Sequence, residues 1–206
     1  MLVLASASPR RRQLLTQAGF AFEVRPAHVP ENPQPCEDPI AYVTRLAREK
    51  AQVVFDAIVA EAASNAANAA SGAIDAKLLA VLGADTTVTL DGQILGKPED
   101  AADAARILRM LSGRSHRVIT GVALVTDEAV EVAAEVTAVQ FLTLSDGEIA
   151  AYVATGEPMD KAGAYGIQGL AARWIPRVEG CYFNVMGLPL ALVTTLLESR
   201  GIKGSY

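Results

Sequence analysis

The chain has 206 residues, 51% of them apolar, and a formal charge of −5 at pH 7. That is ample apolar chain for the core of one large domain or of two small halves around a shared core. The acidic balance excludes a dedicated nucleic-acid binder, so any polyanion it handles is small. Cys36 and Cys181 stand alone without CxxC spacing, which excludes a zinc knuckle or disulfide framework and suits inert packing residues in a reducing cytosol. No apolar run approaches the roughly 20 residues of a membrane span. The arginines come too early for a signal peptide, so the expected setting is cytoplasmic, with no membrane partner.

Leu2 to Ala5 predicts a short buried strand. Ser8 and Pro9 then make an N-cap and first helical position for a helix that stops at Gly19. Arg10, Arg11 and Arg12 fall in its first turn. Cations there oppose the helix dipole unless an anion arrives, whereas exposed N–H groups, dipole and guanidinium groups together suit a phosphate. A plain helix start with solvated arginines fits the same pattern. Successive residues turn by about 100°, so at most two of the three can grip one ligand.

"PAHVPENPQPCEDP" holds too many prolines for helix or central strand and predicts a loop, after which Asp38 and Pro39 cap and open a second helix. Ile40, Val43, Leu46, Ala47, Val54, Phe55 and Ile58 form its apolar face, leaving Arg45, Arg48, Glu49 and Lys50 on or beside the others. Residues 60–76, rich in Ala, Asn and Ser, predict a helix extension passing into a surface insertion.

"LLAVLGADTTVTLDGQIL" reads as a buried strand, a polar corner at Gly83 to Thr86 and a hairpin turning at Asp91 and Gly92. Asp85, at the exit of that strand, is placed to hold a divalent cation or act as general base. A turn aspartate bonding the backbone is the alternative. Lys97, just past the hairpin, is expected beside Asp85, either as a phosphate-binding ammonium or in a plain salt bridge. Asp100 caps a helix to Leu111, His116 to Thr126 and Ala129 to Thr143 predict a second antiparallel pair, and Ser145 with Glu148 forms a capping box for a helix closed at Gly156.

The glycine-rich "GEPMDKAGAYGIQG" fits neither the Walker nor the G-x-G-x-x-G pattern, but lets backbone approach a ligand closely. It carries Asp160, Lys161 and Gln168, whose amide can read a base edge through a donor and an acceptor. Strands around Trp174 and a helix opened by Pro189 complete the chain. Helix-linked and hairpin-linked strands together predict a mixed α/β sheet. There is no GxSxG or HExxH, and His28 and His116 lack partners at metal spacing, which disfavours serine and zinc hydrolases.

Taken together, "LASASPRRRQLL", "RLAREKA", "GADTTVTLDGQILGKPED", "LSGRSHRVITGV", "TGEPMDKAGAYGIQG" and "NVMGLPL" resemble the Maf family of nucleoside triphosphate pyrophosphatases, in the family's order and over almost the whole chain. The resemblance implies an ITPase-like α/β fold spanning 1–206 as one domain, with an extended mixed sheet flanked by helices and two lobes around a central cleft. It implies hydrolysis of a nucleoside triphosphate to the monophosphate and pyrophosphate, with a divalent metal, Mg²⁺ or Mn²⁺. Arg10, Thr86 and Gln168 are similar to the subgroup acting on dTTP and UTP, where these positions select substrate. By resemblance Asp85 is the proton acceptor, Ser8, Arg11, Lys50 and Lys97 bind substrate and its phosphates, and Asp85 with Glu31 holds the metal. Pro30 stands before Glu31 where relatives often carry a second acid. A house-cleaning role follows, with a link to cell-division arrest. The alternatives are a non-catalytic nucleotide sensor regulating cell division and an inosine-type purine pyrophosphatase; a homodimer stays open.

Overall fold

A computed structural model describes residues 1–68 and 79–205. In chain order the elements are β1 (Leu2–Leu4), α1 (Pro9–Gln17), β2 (Glu23–Val24), α2 (Pro39–Asn68), β3 (Ala80–Leu90), β4 (Gln93–Leu95), α3 (Ala101–Leu111), β5 (Ser115–Thr126), β6 (Val130–Gln140), α4 (Asp146–Ala154), β7 (Arg177–Glu179), α5 (Tyr182–Val185) and α6 (Leu190–Ser199). Short 3-10 turns lie at Glu157–Asp160, Ala162–Ala164 and Leu170–Trp174. The strands form one seven-stranded mixed sheet in the order β2-β1-β3-β5-β6-β7, with β4 also on β3. β1 runs parallel to both neighbours, while β4 on β3 and β7 on β6 are antiparallel. No helix among the described residues is long and apolar enough to cross a membrane.

Two compact units divide the chain: Met1–Asp85, Gly121–Ala134 and Leu190–Tyr206 form the first, and Thr86–Thr120 with Glu135–Pro189 the second. In the first, Val3, Val81, Ala123 and Val125 of the sheet pack with Ala47, Ala51, Val54 and Ile58 of α2. Here α2 lies with backbone almost on backbone. A Cβ on Gly83 of β3 would meet the Ala47 carbonyl oxygen at 2.1 Å, and one on Gly121 of β5 would meet that of Val43 at 2.4 Å. At these two positions glycine is required for the close approach. The C-terminal end is tied into the same unit, where Ser205 N–H donates to the Gly19 carbonyl at 2.8 Å. In the second unit α3 and α4 pack Ile107, Leu108, Ile149 and Tyr152 against Val88, Val118, Val139 and Phe141, with Tyr165 and Trp174.

The local signals hold. Ser8 Oγ caps α1 by accepting from Arg11 N–H, and Asp38 Oδ1 accepts from Ile40 and Ala41 N–H. Asp91 and Gly92 both have positive φ, 52° and 79°, the pair demanded by a tight type I′ hairpin. Ser145 and Glu148 form the capping box.

Six expectations are corrected. β3 continues unbroken through Gly83 to Thr86, so the expected polar corner is absent and Asp85 lies in mid-strand rather than at a strand exit. Ile40, in the first turn of α2, and Cys36, in the loop before it, are both exposed. Trp174 ends a 3-10 turn, and the strand that follows is Arg177–Glu179. β6 stops at Gln140, because Phe141 N–H turns to the Arg114 carbonyl and Leu142 N–H to that of Trp174. Lys50 lies on the inward face of α2 beside Ala47 and Ala51, 7% exposed, for reasons given below. The helix extension reaches Asn68, and residues 69–76 of the expected insertion lie outside the described residues.

Candidate active site

The first unit gathers most of the expected residues around the end of β1 and the middle of β3. Ser8 Oγ takes the Arg11 N–H at 3.4 Å, and Pro9 fills the first helical position, so α1 begins directly over the strand end. Arg11 then turns inward. Its Nη1 donates to the Ala84 carbonyl at 2.8 Å and to Ser6 Oγ at 3.2 Å, locking the guanidinium onto the residue before Asp85. Burial works against the Arg11 charge, while Asp85 and then Glu31 favour it. Arg10 is half-buried and Arg12 exposed, so the three arginines separate by face as the helical advance requires.

Asp85, 7% exposed, projects from a strand buried over nearly its full length. Lys50 reaches it from α2, Nζ to Oδ1 at 2.6 Å, and the same ammonium pairs with Glu31 Oε1 at 2.5 Å. The glycine-permitted approach of α2 to β3 is what brings a lysine of that helix within reach of a carboxylate on the strand. Burial pushes the Asp85 carboxyl above its usual range, against the pull of Lys50 and Arg11. A raised pKa makes a carboxylate a better proton acceptor. The oxygens of Asp85 and Glu31 already share one cation, and their chemistry is that of donors for hard divalent ions. Among the described residues no group of three or more His, Cys, Asp or Glu is arranged to hold a metal.

Glu31 sits on the proline-rich loop, and two α2 residues fix that loop. Tyr42 Oη donates to the Glu31 carbonyl at 2.9 Å. Arg45 grips Glu37 with a two-pronged fork, Nε to Oε1 at 2.7 Å and Nη2 to Oε2 at 2.8 Å, and its Nη2 also reaches the Asn32 carbonyl at 3.2 Å. Arg45 holds the Glu37 carboxyl down at about 2, and burial with the Asp85 and Glu31 charges pushes Tyr42 up to about 12. Neither Tyr42 nor Arg45 was singled out from sequence as a loop anchor. The available signal was their i, i+3 spacing on a helix that opens beside an acid-bearing loop.

The second unit carries Thr86, Lys97 and Gln168. Thr86 Oγ1 lies 2.9 Å from Thr120 Oγ1 and 3.5 Å from the Gly187 carbonyl, and Thr120 donates to the Asn184 carbonyl at 3.1 Å. Lys97 is exposed, two residues beyond β4, and its corner is joined to the glycine-rich loop by Gly163 N–H donating to the Gly96 carbonyl at 3.0 Å. Gln168 is exposed on that loop. Lys161 pairs with Asp160 at 2.5 Å and donates to the Glu157 carbonyl at 2.6 Å, so it serves the loop's own shape. His28 is exposed, whereas His116 is buried, with Nε2 2.8 Å from Tyr165 Oη. Burial lowers the His116 pKa to about 4, which keeps it neutral at pH 7.

A model of the Maf-like protein family matches residues 1–200. The chain belongs to this family. Curated relatives carry the same placement over nearly their whole length. A dTTP/UTP pyrophosphatase of Koribacter versatilis is 50% identical over 201 residues, covering 98% of this chain and 95% of the relative. Proteins of the same name from Hahella chejuensis and Chromobacterium violaceum are 48% and 46% identical over 202 residues, each covering 98% of this chain and 93% and 96% of the relative. The seven-stranded mixed sheet flanked by helices agrees with membership of the Maf-like family.

Proposed function

We propose that this Maf-like protein is a nucleoside triphosphate pyrophosphatase acting on dTTP and UTP. The observation that carries the chemistry is a buried aspartate with a raised pKa, Asp85, held beside Lys50 and Arg11 at the foot of a helix N-terminus. Substrate choice rests on the names of the relatives and on Arg10, Thr86 and Gln168 standing where the dTTP/UTP subgroup has them.

In this reading the N-terminal turn of α1, with Arg10 and Arg11, receives the triphosphate. Lys97 supplies further positive charge. Lys50 offsets Asp85 and Glu31, two carboxylates that would otherwise repel the incoming phosphates. Asp85 takes a proton from water as the oxygen attacks the α-phosphorus. The bond from that phosphorus to the bridging oxygen breaks, and pyrophosphate leaves the monophosphate. Positioning and charge stabilisation carry most of the rate enhancement. Asp85 and Glu31 would hold a divalent cation, Mg²⁺ or Mn²⁺, and such an ion, when bound, supplies charge neutralisation on the phosphates. A cytoplasmic setting suits a nucleotide-handling protein whose two cysteines are both free.

The test is pyrophosphate release from dTTP, UTP, CTP, dITP and 7-methyl-GTP, with and without Mg²⁺ or Mn²⁺. Asp85→Asn keeps the side chain's shape and removes the proton acceptor, so turnover is expected to fall at least ~10²-fold. Near-normal turnover in a folded Asp85→Asn protein sinks the assigned role. Binding of dTTP without any pyrophosphate release sinks the enzymatic reading itself.

A further inference from the structure

Tyr152 and Glu157 take no part in the reaction as drawn, yet together they hold the backbone on both sides of Gln168. Tyr152, 1% exposed, lies on the inward face of α4, edge-on to the Trp174 ring at a centroid distance of 5.1 Å. Its hydroxyl donates to Glu157 Oε1 at 2.8 Å and accepts from the Gly166 N–H at 3.3 Å. The other carboxylate oxygen, Glu157 Oε2, accepts from the Leu170 N–H at 3.2 Å. The chain two residues before Gln168 and two residues after it is thus tethered to one phenol–carboxylate pair.

The glycines of this stretch are shaped around the same pair. A Cβ on Gly169 would lie 2.0 Å from Glu157 Oε1, so only glycine lets the carboxylate lie against the chain beside Gln168. A Cβ on Gly166 would stand 3.0 Å from Lys161 Cε, and Lys161 Nζ is bound to the Glu157 carbonyl. The hydrogen-bond directions are also fixed. An ionised carboxylate can only accept, so the phenol hydrogen goes to Glu157 and the phenol lone pairs are left for Gly166 N–H. Burial, followed by the Glu157 hydrogen bond, raises the Tyr152 pKa further, which keeps that hydrogen in place.

Gln168 itself is exposed. An exposed amide on a glycine-rich loop discriminates a planar base edge only if its backbone is set beforehand, since ordering it on binding would consume the selectivity it offers. We propose that Tyr152 and Glu157 are positioning residues for base selection, holding the 166–170 turn so that the Gln168 amide is presented in one orientation. The proposal rests on the reading of Gln168 as the base-selecting amide.

The experiment is a double-mutant cycle of Tyr152→Phe and Gln168→Ala, with steady-state kinetics on dTTP and CTP and amide exchange at Gly166 and Leu170. Tyr152→Phe is expected to raise KM for dTTP about 10-fold with kcat within about 2-fold, and to lower the dTTP-over-CTP preference by a similar factor. In the Gln168→Ala background the same change should add less than about 2-fold, because its effect runs through the missing amide. Faster exchange at both amides should accompany it.

If Gln168→Ala erodes the dTTP preference while Tyr152→Phe leaves it intact, or if the two effects simply add, the positioning role is overturned and the enzymatic reading stands. If Gln168→Ala leaves the preference at its wild-type value, the base-selecting reading falls and the proposal with it, while the Asp85→Asn result still reports separately on the reaction. Should Tyr152→Phe not fold, Glu157→Gln carries the test. It keeps an acceptor for the phenol and sets an NH₂ against Leu170 N–H, so one tether is lost and a smaller shift of about 3-fold is expected, judged by the same outcomes.

Discussion

The two units solve different electrostatic problems. In the first, charges are matched at and below the surface: buried Lys50 between buried Asp85 and exposed Glu31, half-buried Arg11 on the Ala84 carbonyl, half-buried Arg45 forked on Glu37. In the second, the buried polar groups near Thr86 and the glycine-rich loop are mostly uncharged: Thr86 with Thr120, Asn184 with Thr137, His116 with Tyr165. A buried ion pair is sensitive to the loss of either partner, whereas a neutral hydrogen-bonded network is sensitive to geometry and to protonation of its few titratable members.

Removing one member of the charged set is the most severe way to break this contrast. Lys50→Met leaves Asp85 buried without its nearest cation, and about 3–5 kcal/mol of stability should be lost in urea unfolding at pH 7. The Lys50→Met/Asp85→Asn double variant should recover most of that loss; a double variant no more stable than Lys50→Met would mean that the lysine contributes through packing instead.

The neutral set should respond to acid. His116 has a folded pKa of about 4 against an unfolded value near 6.5, so below 6.5 the unfolded chain binds more protons and stability falls as pH drops towards 4. Between pH 7.5 and 5 this one group should remove roughly 2 kcal/mol, and His116→Phe should flatten that part of the profile. An unchanged profile in the variant would assign the acid sensitivity to the carboxylates.

Smaller effects sharpen the comparison. Thr120→Val is isosteric, but it leaves the Asn184 carbonyl with the Gly187 N–H as its remaining donor and removes the Thr86 partner, so about 1 kcal/mol should be lost in thermal unfolding. Arg45→Lys keeps the charge and loses the fork on Glu37, and a higher KM for substrate is expected as the Glu31 loop loosens. Wild-type KM in that variant would show that Tyr42 alone sets the loop.

Legibility from sequence followed distance along the chain. The Ser8 cap, the Asp91–Gly92 hairpin and the Ser145–Glu148 box could be read because each depends on residues within a few positions of one another. Asp85 could be singled out as a carboxylate beside a buried strand but not correctly placed, because β3 runs on from Ala80 to Leu90 and leaves it in mid-strand. Its neighbours could not be read from pattern: Lys50 is 35 residues away and Arg11 meets a carbonyl 73 residues on. A lysine on the inward stripe of a helix reads as solvent-facing until its carboxylate partners are known. Tyr152 and Glu157 were hidden differently, as an ordinary helix aromatic and an ordinary loop acid whose joint hold on Gly166 and Leu170 exists only once α4 has packed.

The contact between Tyr152 and Trp174 also gives the molecule a built-in reporter. Trp174 is the chain's single tryptophan and is 3% exposed. Its emission therefore records the second unit alone, while far-ultraviolet circular dichroism is weighted by α2, the 30-residue helix of the first. Following both signals through one denaturation would reveal whether the units melt as a single cooperative body or one ahead of the other, without introducing any label.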